Sequence, residues 1–391
     1  MKELDVIVLG LGAMGSSTLY QSAKKGCRVL GIDQFSPPHV HGSTHGDTRI
    51  TRLAIGEGEE YVPLALRSHE IWPEIERETG RKLKFRTGGL VISSDTNASL
   101  LHVENFFRKT VAAAEKFGIA HEILSAADIR KRFPQFNVAD DEVGYFEPEA
   151  GYLIPEECVK AHLALAAKHG AVVHKNEKVL GFTSDGSKVQ VTTDQGSYTA
   201  NHLVVTAGPW LPQLLGEKYS NLFRIYRQVL YWFDIEPASR ESFAPERFPV
   251  FIWQLQGKEH GTYGFPAVEG LGAGVKIATE QLETTTTPET VDRTVTAREI
   301  EEMFENFVGP YFHGLARECL KAATCLYTSM PDARFLIDTH PEYGNVTIVS
   351  PCSGHGFKHS VSIGEAVAER VLTGTSRLDL SEFSFDRFGV E

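Results

Sequence analysis

DVIVLGLGAMGSSTLYQSAKKGCRVLGIDQ, residues 5–34, is the stretch whose reading decides the fold. Residues 6–9 are a short apolar run, Gly10-Leu11-Gly12-Ala13-Met14-Gly15 fits G-x-G-x-x-G, and residues 16–25 suit a helix. Residues 29–32 form a second apolar run that ends in an acid, Asp33. The first glycine permits the tight turn, the second lets backbone approach a pyrophosphate, and the third lets helix and strand pack closely. The N-terminus of the helix then offers unpaired N–H groups to the phosphates. Asp33 lies eighteen residues beyond Gly15, where a carboxylate accepts hydrogen bonds from a ribose. With strand, turn, helix, strand and acid in register, Gly10, Gly12, Gly15 and Asp33 predict an ADP-containing dinucleotide. The motif alone does not distinguish NAD from FAD.

Working outward, 391 residues exceed one ordinary domain, and 42% hydrophobic residues with 35 glycines allow a large core and many turns. A formal charge of −12 with no basic tract argues against nucleic acid, so an anionic substrate must be met by locally placed Arg or Lys. The five cysteines, Cys27, Cys158, Cys319, Cys325 and Cys352, are dispersed and lack C-x-x-C spacing. That pattern favours neither a disulfide framework nor a metal site, and a reduced, cytoplasmic setting is the expectation. The first strand starts too early for a signal peptide, and no apolar run approaches the ~18 residues read as a membrane span.

Residues 41–52, HGSTHGDTRITR, read as an irregular polar loop. Residues 61–77 have helical spacing, with Pro63 in the first turn and Pro73 inside. A turn at Thr87-Gly88-Gly89 leads into a strand at 90–92, a helix is expected over 104–117, and Ser125 to Asp128 reads as a capping box. Another helix over 156–168 precedes strands at 171–174, 179–183, 188–193 and 197–200, and then His202-Leu203-Val204-Val205-Thr206-Ala207-Gly208 as a buried strand. A three-stranded antiparallel crossover feeding back into a buried strand moves the dinucleotide from NAD toward FAD. Further strands fall within 222–234, 262–279 and 346–350, with helices over 298–307 and 361–372. The expectation is a mixed α/β (α+β) fold. A discontinuous FAD-binding Rossmann-like domain (1–83, 150–217 and 323–391) would carry a mainly antiparallel β substrate domain (84–149 and 218–322).

Four features carry chemistry, and the first three have a plainer reading. Arg49 and Arg52 could grip a carboxylate, although on spacing alone they read as ordinary ion pairs of a surface loop. Lys276 alternates with Val275 and Ile277 in a strand, which more often leaves such a lysine on an exposed face. Cys325, in Ala323-Thr324-Cys325-Leu326-Tyr327, reads as core filler. The loop Ser353-Gly354-His355-Gly356-Phe357-Lys358 is different: Gly354 and Gly356 alternating with polar groups suggest backbone close to a ligand, with Lys358 free for an anion.

Taken together, these segments resemble one family, the monomeric sarcosine oxidase and N-methyltryptophan oxidase group of D-amino-acid-oxidase-like flavin amine oxidases. The resembling residues are GLGAMG with Asp33, PPHVHGSTHGDTRITRLAIGEGEEYVPLALRS, Tyr263-Gly264-Phe265-Pro266, the Lys276 strand, Ala323 to Tyr327, and Phe335-Leu336-Ile337-Asp338 leading to Ser353 through Lys358. The resemblance implies FAD, with Thr48 also among the cofactor-binding residues and Cys325 bonded covalently to the flavin. It implies that Arg52 and Lys358 hold a substrate carboxylate, that Arg49 and Lys276 face the flavin, with Lys276 tied to oxygen, and that Tyr263 and Tyr327 flank the substrate. His355 is carried as a further candidate without a general-base assignment, and no metal is expected.

Three departures mark this chain. Glu280 stands four residues past Lys276 where the sarcosine oxidases have a histidine, Ser350-Pro351-Cys352 precedes the glycine loop, and His359 replaces the usual Phe. The resemblance therefore implies an FAD-dependent oxidase of a secondary or N-methylated amino acid, with Glu280 at the substrate and O2 reduced to hydrogen peroxide. A flavin dehydrogenase, a cyclic imino-acid oxidase or a non-catalytic flavoprotein subunit are the alternatives. The expected partners are a small amino acid and O2, with no nucleic acid or membrane, and the chain is expected to be a monomer.

Overall fold

The opening unit forms as its residues dictate: strand Leu4–Leu9, helix Ala13–Lys24, strand Val29–Asp33. The computed structural model describes residues 3–94, 99–100, 103–255, 258 and 261–389. Both strands join the parallel core of a first sheet, in the order Val172–Lys175, Val29–Asp33, Leu4–Leu9, Ser197–Val205. Strand Tyr343–Ser350 continues the parallel set along Leu203 to Val205. The first half of Ser197–Val205 instead pairs antiparallel with Val189–Thr193, which pairs with Val179–Ser184. This is the crossover expected from the sequence, except that 197–200 and 202–205 are one strand rather than two. Every residue of Val29–Asp33 is buried, as a parallel strand covered on both faces requires. Helix Ala13–Lys24 supplies one cover, packed against helices Pro155–Lys168 and Ser360–Thr373.

A second sheet also has eight strands, in the order Leu315–Ser329, Arg224–Ile235, Val275–Thr279, Thr262–Gly264, Val250–Trp253, Gly89–Ser94, Glu142–Glu147, Glu122–Ser125. All its pairings are antiparallel except Val250–Trp253 with Gly89–Ser94. Its long edge strand, Leu315–Ser329, follows Arg224–Ile235 along its length and runs through residue 323 without a break. Beneath it lies an aromatic-rich core that includes Phe136, Phe233, Phe248, Phe251, Trp253 and Phe312.

Residues 41–52 are not loop throughout. Arg49–Thr51 is a strand, paired antiparallel with Gly151–Leu153, which pairs in turn with Lys84–Arg86. A three-residue strand is too short to show alternation, so its pairing partners reveal it rather than its own residues. Strands Glu142–Glu147 and Leu336–His340 were likewise not legible as such. The turn signals were: Ser125 and Asp128 make both bonds of a capping box, and Gly118 ends helix Phe106–Phe117 at φ +64°. Among the described residues no helix is long and apolar enough to cross a membrane.

Candidate active site

One cavity of about 430 Å³ starts at the first glycine turn and ends at Lys358. At its start Gly10 sits at φ +83°, a backbone state that side chains disfavour. A Cβ on Gly15 would stand 1.7 Å from the Gly10 carbonyl oxygen, so helix and strand touch only because that atom is missing. Gly12 differs. Its φ of −69° suits any residue, and a Cβ there would meet only Thr44 Oγ1, at 3.4 Å. The chain's own packing therefore does not require Gly12, and the vacant side faces the cavity that Gly12 lines. In the helix that follows, the N-cap Gly12 has no side chain to bond the first turn and no acid stands there, although the Ala13 N–H donates to Thr44 Oγ1 at 3.3 Å. Asp33, 6% exposed, accepts hydrogen bonds from the Leu11 and Phe35 N–H groups at 2.7 and 2.8 Å. Burial raises its pKa against the pull of those two donors.

Farther along, the loop after Ser43 closes over a layer of cations. The strand that exposed-face statistics would leave in solvent instead buries Lys276, 2% exposed, whose ammonium donates to the Gly46 carbonyl (2.7 Å), the Thr48 carbonyl (2.9 Å) and Thr48 Oγ1 (3.1 Å). Burial, with Arg49 beside it, holds its pKa well below the usual lysine range. Arg49 donates to the Thr48 and Ser43 carbonyls at 2.8 and 2.7 Å. Glu156 fixes the same turn from the other side, accepting from the Gly46 N–H at 2.7 Å. The Cys325 thiol is 1% exposed, and its pKa is raised by burial and drawn back by Arg49 and Lys276. Neither Lys276 nor Cys325 is part of the cavity wall itself, whereas Cys352 is.

At the far end charges of both signs converge. The Arg52 guanidinium is 4% exposed and donates to the Ala54 carbonyl and, at 2.6 Å, to Glu57 Oε2, leaving Nε without a partner among the described residues. Burial alone would raise the Glu57 pKa, but Arg52, His355 and Lys358 together bring it down to about 2. Lys358 donates to the His355 carbonyl at 2.7 Å, and burial lowers its pKa to about 8. His355 Nδ1 stands 4.0 Å from Glu57, and burial lowers the ring to about 4, so it is neutral near pH 7. Across the cavity the Tyr263 and Tyr327 hydroxyls are 3.3 Å apart, both with pKa values raised by burial. Glu280 lies beside Tyr327, its carboxyl pushed up to about 8 by burial and by Glu57.

The structure thus brings Thr48, Arg49, Arg52, Tyr263, Glu280, Tyr327, Gly354, His355, Gly356 and Lys358 around the cavity that starts at Gly10 and Gly12. The plain readings of Arg49, Arg52 and Lys276 as surface groups do not hold. Gly356 answers a structural need, since a Cβ there would stand 1.5 Å from the Pro351 carbonyl oxygen. His359 is buried against Tyr61 and Phe335, and burial keeps its ring neutral. Three residues were missed. Glu57 pairs with Arg52, and Glu147 accepts from the Leu53 and Ala54 N–H groups at 2.7 and 3.1 Å, fixing the backbone that follows Arg52. His45 is buried beside Arg49, its pKa lowered to about 3 by burial. The acid-rich run Glu57-Gly58-Glu59-Glu60 gives no sign that only its first member is internal.

Room for a close approach at Gly12, a helix N-terminus without an acid in its first turn, a buried acid at the end of the second strand and one long cavity fit a dinucleotide that reaches from the turn to the cation layer. The family described as FAD dependent oxidoreductase matches residues 5–370, and the chain belongs to it. It is thus an FAD-dependent oxidoreductase. Among curated relatives it is 40% identical to a monomeric sarcosine oxidase of Streptomyces avermitilis over 95% of this chain and 94% of that one. It is 39% identical to one from Bacillus sp. (98% and 96%) and 34% identical to an N-methyl-L-tryptophan oxidase of Yersinia pestis (99% and 100%). Its fold matches that of NikD, an unusual amino acid oxidase, with a TM-score of 0.83 at 22% identity over 98% of both chains. An L-proline dehydrogenase from P. horikoshii shares the fold with a TM-score of 0.79 at 21% identity, over 99% and 98% of the two chains.

Proposed function

We propose that the protein oxidises the C–N bond of a secondary or N-methylated amino acid to an imine that water hydrolyses, with O2 reduced to hydrogen peroxide. The carrying observation is the charge balance at the closed end of the cavity. At pH 7 Arg52 and Lys358 are cations, Glu57 is an anion and Glu280 is mostly protonated, which leaves one net positive charge for one carboxylate. Arg52 keeps its Nε unpaired there, and Lys358 has used one of three donors. Binding at the unreactive carboxylate orients the carbon next to nitrogen, and the tyrosine pair walls the other side. FAD, when bound, accepts the equivalent of a hydride from that carbon. Gly10, Gly12, Gly15 and Asp33 would hold its ADP portion, and Thr48, Gly354 and Gly356 would approach it through backbone or a short side chain. Arg49 and Lys276 place fixed positive charge near the reacting ring, and Lys276 is the residue we assign to the oxygen half-reaction.

Cys325 is our reading for a covalent tether, because it lies beside both of those cations. Cys352 is the second reading, because it lines the cavity. The division into an FAD-binding part (1–83, 150–217, 323–391) and a substrate part (84–149, 218–322) follows the two large sheets, apart from the strand that spans residue 323.

The test of function is anaerobic addition of N-methyl and cyclic amino acids to the flavin-loaded protein, followed by air and a peroxide assay. Bleaching by an N-methyl amino acid and peroxide on reoxidation are expected. Absence of bleaching by any amine removes the enzymatic reading. For the tether, acid-precipitated protein should stay yellow, and Cys325→Ala should release the colour where Cys352→Ala does not. The reverse pattern would move the tether to Cys352.

A further inference from the structure

Among the described residues, Glu280 is the carboxyl group lining this cavity that the chain itself leaves without a hydrogen bond or ion pair. It follows directly after strand Val275–Thr279, lines the cavity, and accepts no hydrogen bond from any described residue. The other carboxylate of this end, Glu57, is committed to Arg52 at 2.6 Å. Glu280 is also closely confined. A Cβ placed on Gly354 would stand 2.7 Å from Glu280 Oε1 and 3.0 Å from the Tyr327 ring, so the bare glycine, at φ +84°, is what leaves the carboxyl room. The titratable groups that face it are Glu57, Lys358, Tyr327 and Tyr263. Arg49, Lys276 and Cys325 form their own cluster, in which Glu280 takes no part.

That placement gives Glu280 a job set by the chemistry of the substrate. An amino acid enters as a zwitterion, and its nitrogen must lose a proton before the neighbouring carbon can give up a hydride, because an ammonium has no lone pair to form the imine. With the carboxylate on Arg52 and Lys358, the nitrogen is one carbon away, and Glu280 is the carboxyl that faces both Lys358 and the tyrosine pair. We propose that Glu280 is the catalytic base that accepts the ammonium proton of the bound amino acid. The step balances as R2NH2+ plus carboxylate giving R2NH plus carboxylic acid, with no electron transferred. Burial supports it, since a carboxyl raised to about 8 lies much closer to an amine in basicity than an ordinary glutamate does. Lys358 and Glu57 oppose one another at this carboxyl, the lysine favouring its charge and the glutamate resisting it.

The inference rests on the proposed amino-acid substrate, and proton counting separates the two. In weakly buffered, flavin-loaded, anaerobic protein, binding of an N-methyl amino acid should release close to one proton per ligand at pH 7 and none above pH 9. A nitrogen-free carboxylate of the same size should release none. Flavin reduction at low substrate should rise about tenfold per pH unit up to about pH 8. In Glu280→Gln, which keeps the shape, the proton release should vanish, and reduction should keep rising past pH 8 toward the pKa of the free amine. Glu280→Asp should keep the release and lower the rate. Bleaching without proton release, or release that persists in Glu280→Gln, overturns the base assignment while the oxidase reading stands. Failure of every amine to bleach the flavin overturns both.

Discussion

The two ends of the cavity are built by opposite means. At the dinucleotide end the work is done by atoms that are absent: Gly10, Gly12 and Gly15 shape a backbone, and Asp33 ties the Leu11 and Phe35 N–H groups together. At the proposed substrate end it is done by buried charged side chains, with Arg52 against Glu57 and Lys358 left as the net cation beside a mostly protonated Glu280. Backbone shape is rigid and indifferent to pH, whereas a set of buried charges that titrate near neutrality responds to every proton and every ligand. In the proposed reading the cofactor end therefore stays the same whatever the substrate, and the proposed substrate end carries what is particular to this chain.

The sharpest break comes at Gly15. Gly15→Ala puts a methyl 1.7 Å from a backbone oxygen that cannot step aside, so a loss of at least about 4 kcal/mol and of FAD retention is expected in thermal unfolding and absorbance. Arg52→Met should cost about 3 kcal/mol, because it leaves Glu57 buried without its partner. The pH dependence has a definite sign. The folded pKa of Glu57 lies at about 2, below its ordinary 4.5, so its contribution is complete above pH 4.5 and is lost as pH falls toward 2. In Arg52→Met the acid transition should begin at higher pH, as unfolding midpoints across pH 2–6 would show.

Glu280 has the opposite sign. Its folded pKa of about 8 lies above 4.5, so the protein loses stability as pH rises from 4.5 to 8. Apoprotein carrying Glu280→Gln should therefore match wild type near pH 4.5 and exceed it by about 2 kcal/mol at pH 8, the cavity-facing side limiting the gain. The smallest effect sharpens the comparison most. Gly12→Ala should shift apoprotein stability by less than about 0.5 kcal/mol yet weaken FAD at least about tenfold by titration, since its Cβ meets ligand space rather than protein.

The same contrast decides what the sequence revealed. Glycine spacing and an acid at a fixed distance are local, so Gly10 to Asp33 could be read from one stretch, as could the capping box at Ser125 and the helix stop at Gly118. The substrate end is assembled from residues far apart in sequence, and burial alone changes what they do. Lys276 looks like an exposed strand lysine until residues 46–48 cover it. Arg52 looks like a free guanidinium until Glu57 is found on it, and nothing in a run of three acids distinguishes that one. The strand Arg49–Thr51 exists only because Gly151–Leu153 lies beside it. Resemblance to relatives supplied most of these residues by position, but it did not supply Glu57 or the charge balance.

In the proposed reading, one cavity joins a dinucleotide turn to a cation pair that reads a carboxylate. Anaerobic titration of the purified, FAD-loaded protein with an N-methyl amino acid, followed in the visible spectrum, tests it most directly. Full bleaching at one equivalent of substrate per flavin is expected, with Lys358→Met losing binding and keeping its flavin. A folded protein that takes up no FAD, or whose flavin is bleached equally well by amines that lack a carboxylate, would contradict it.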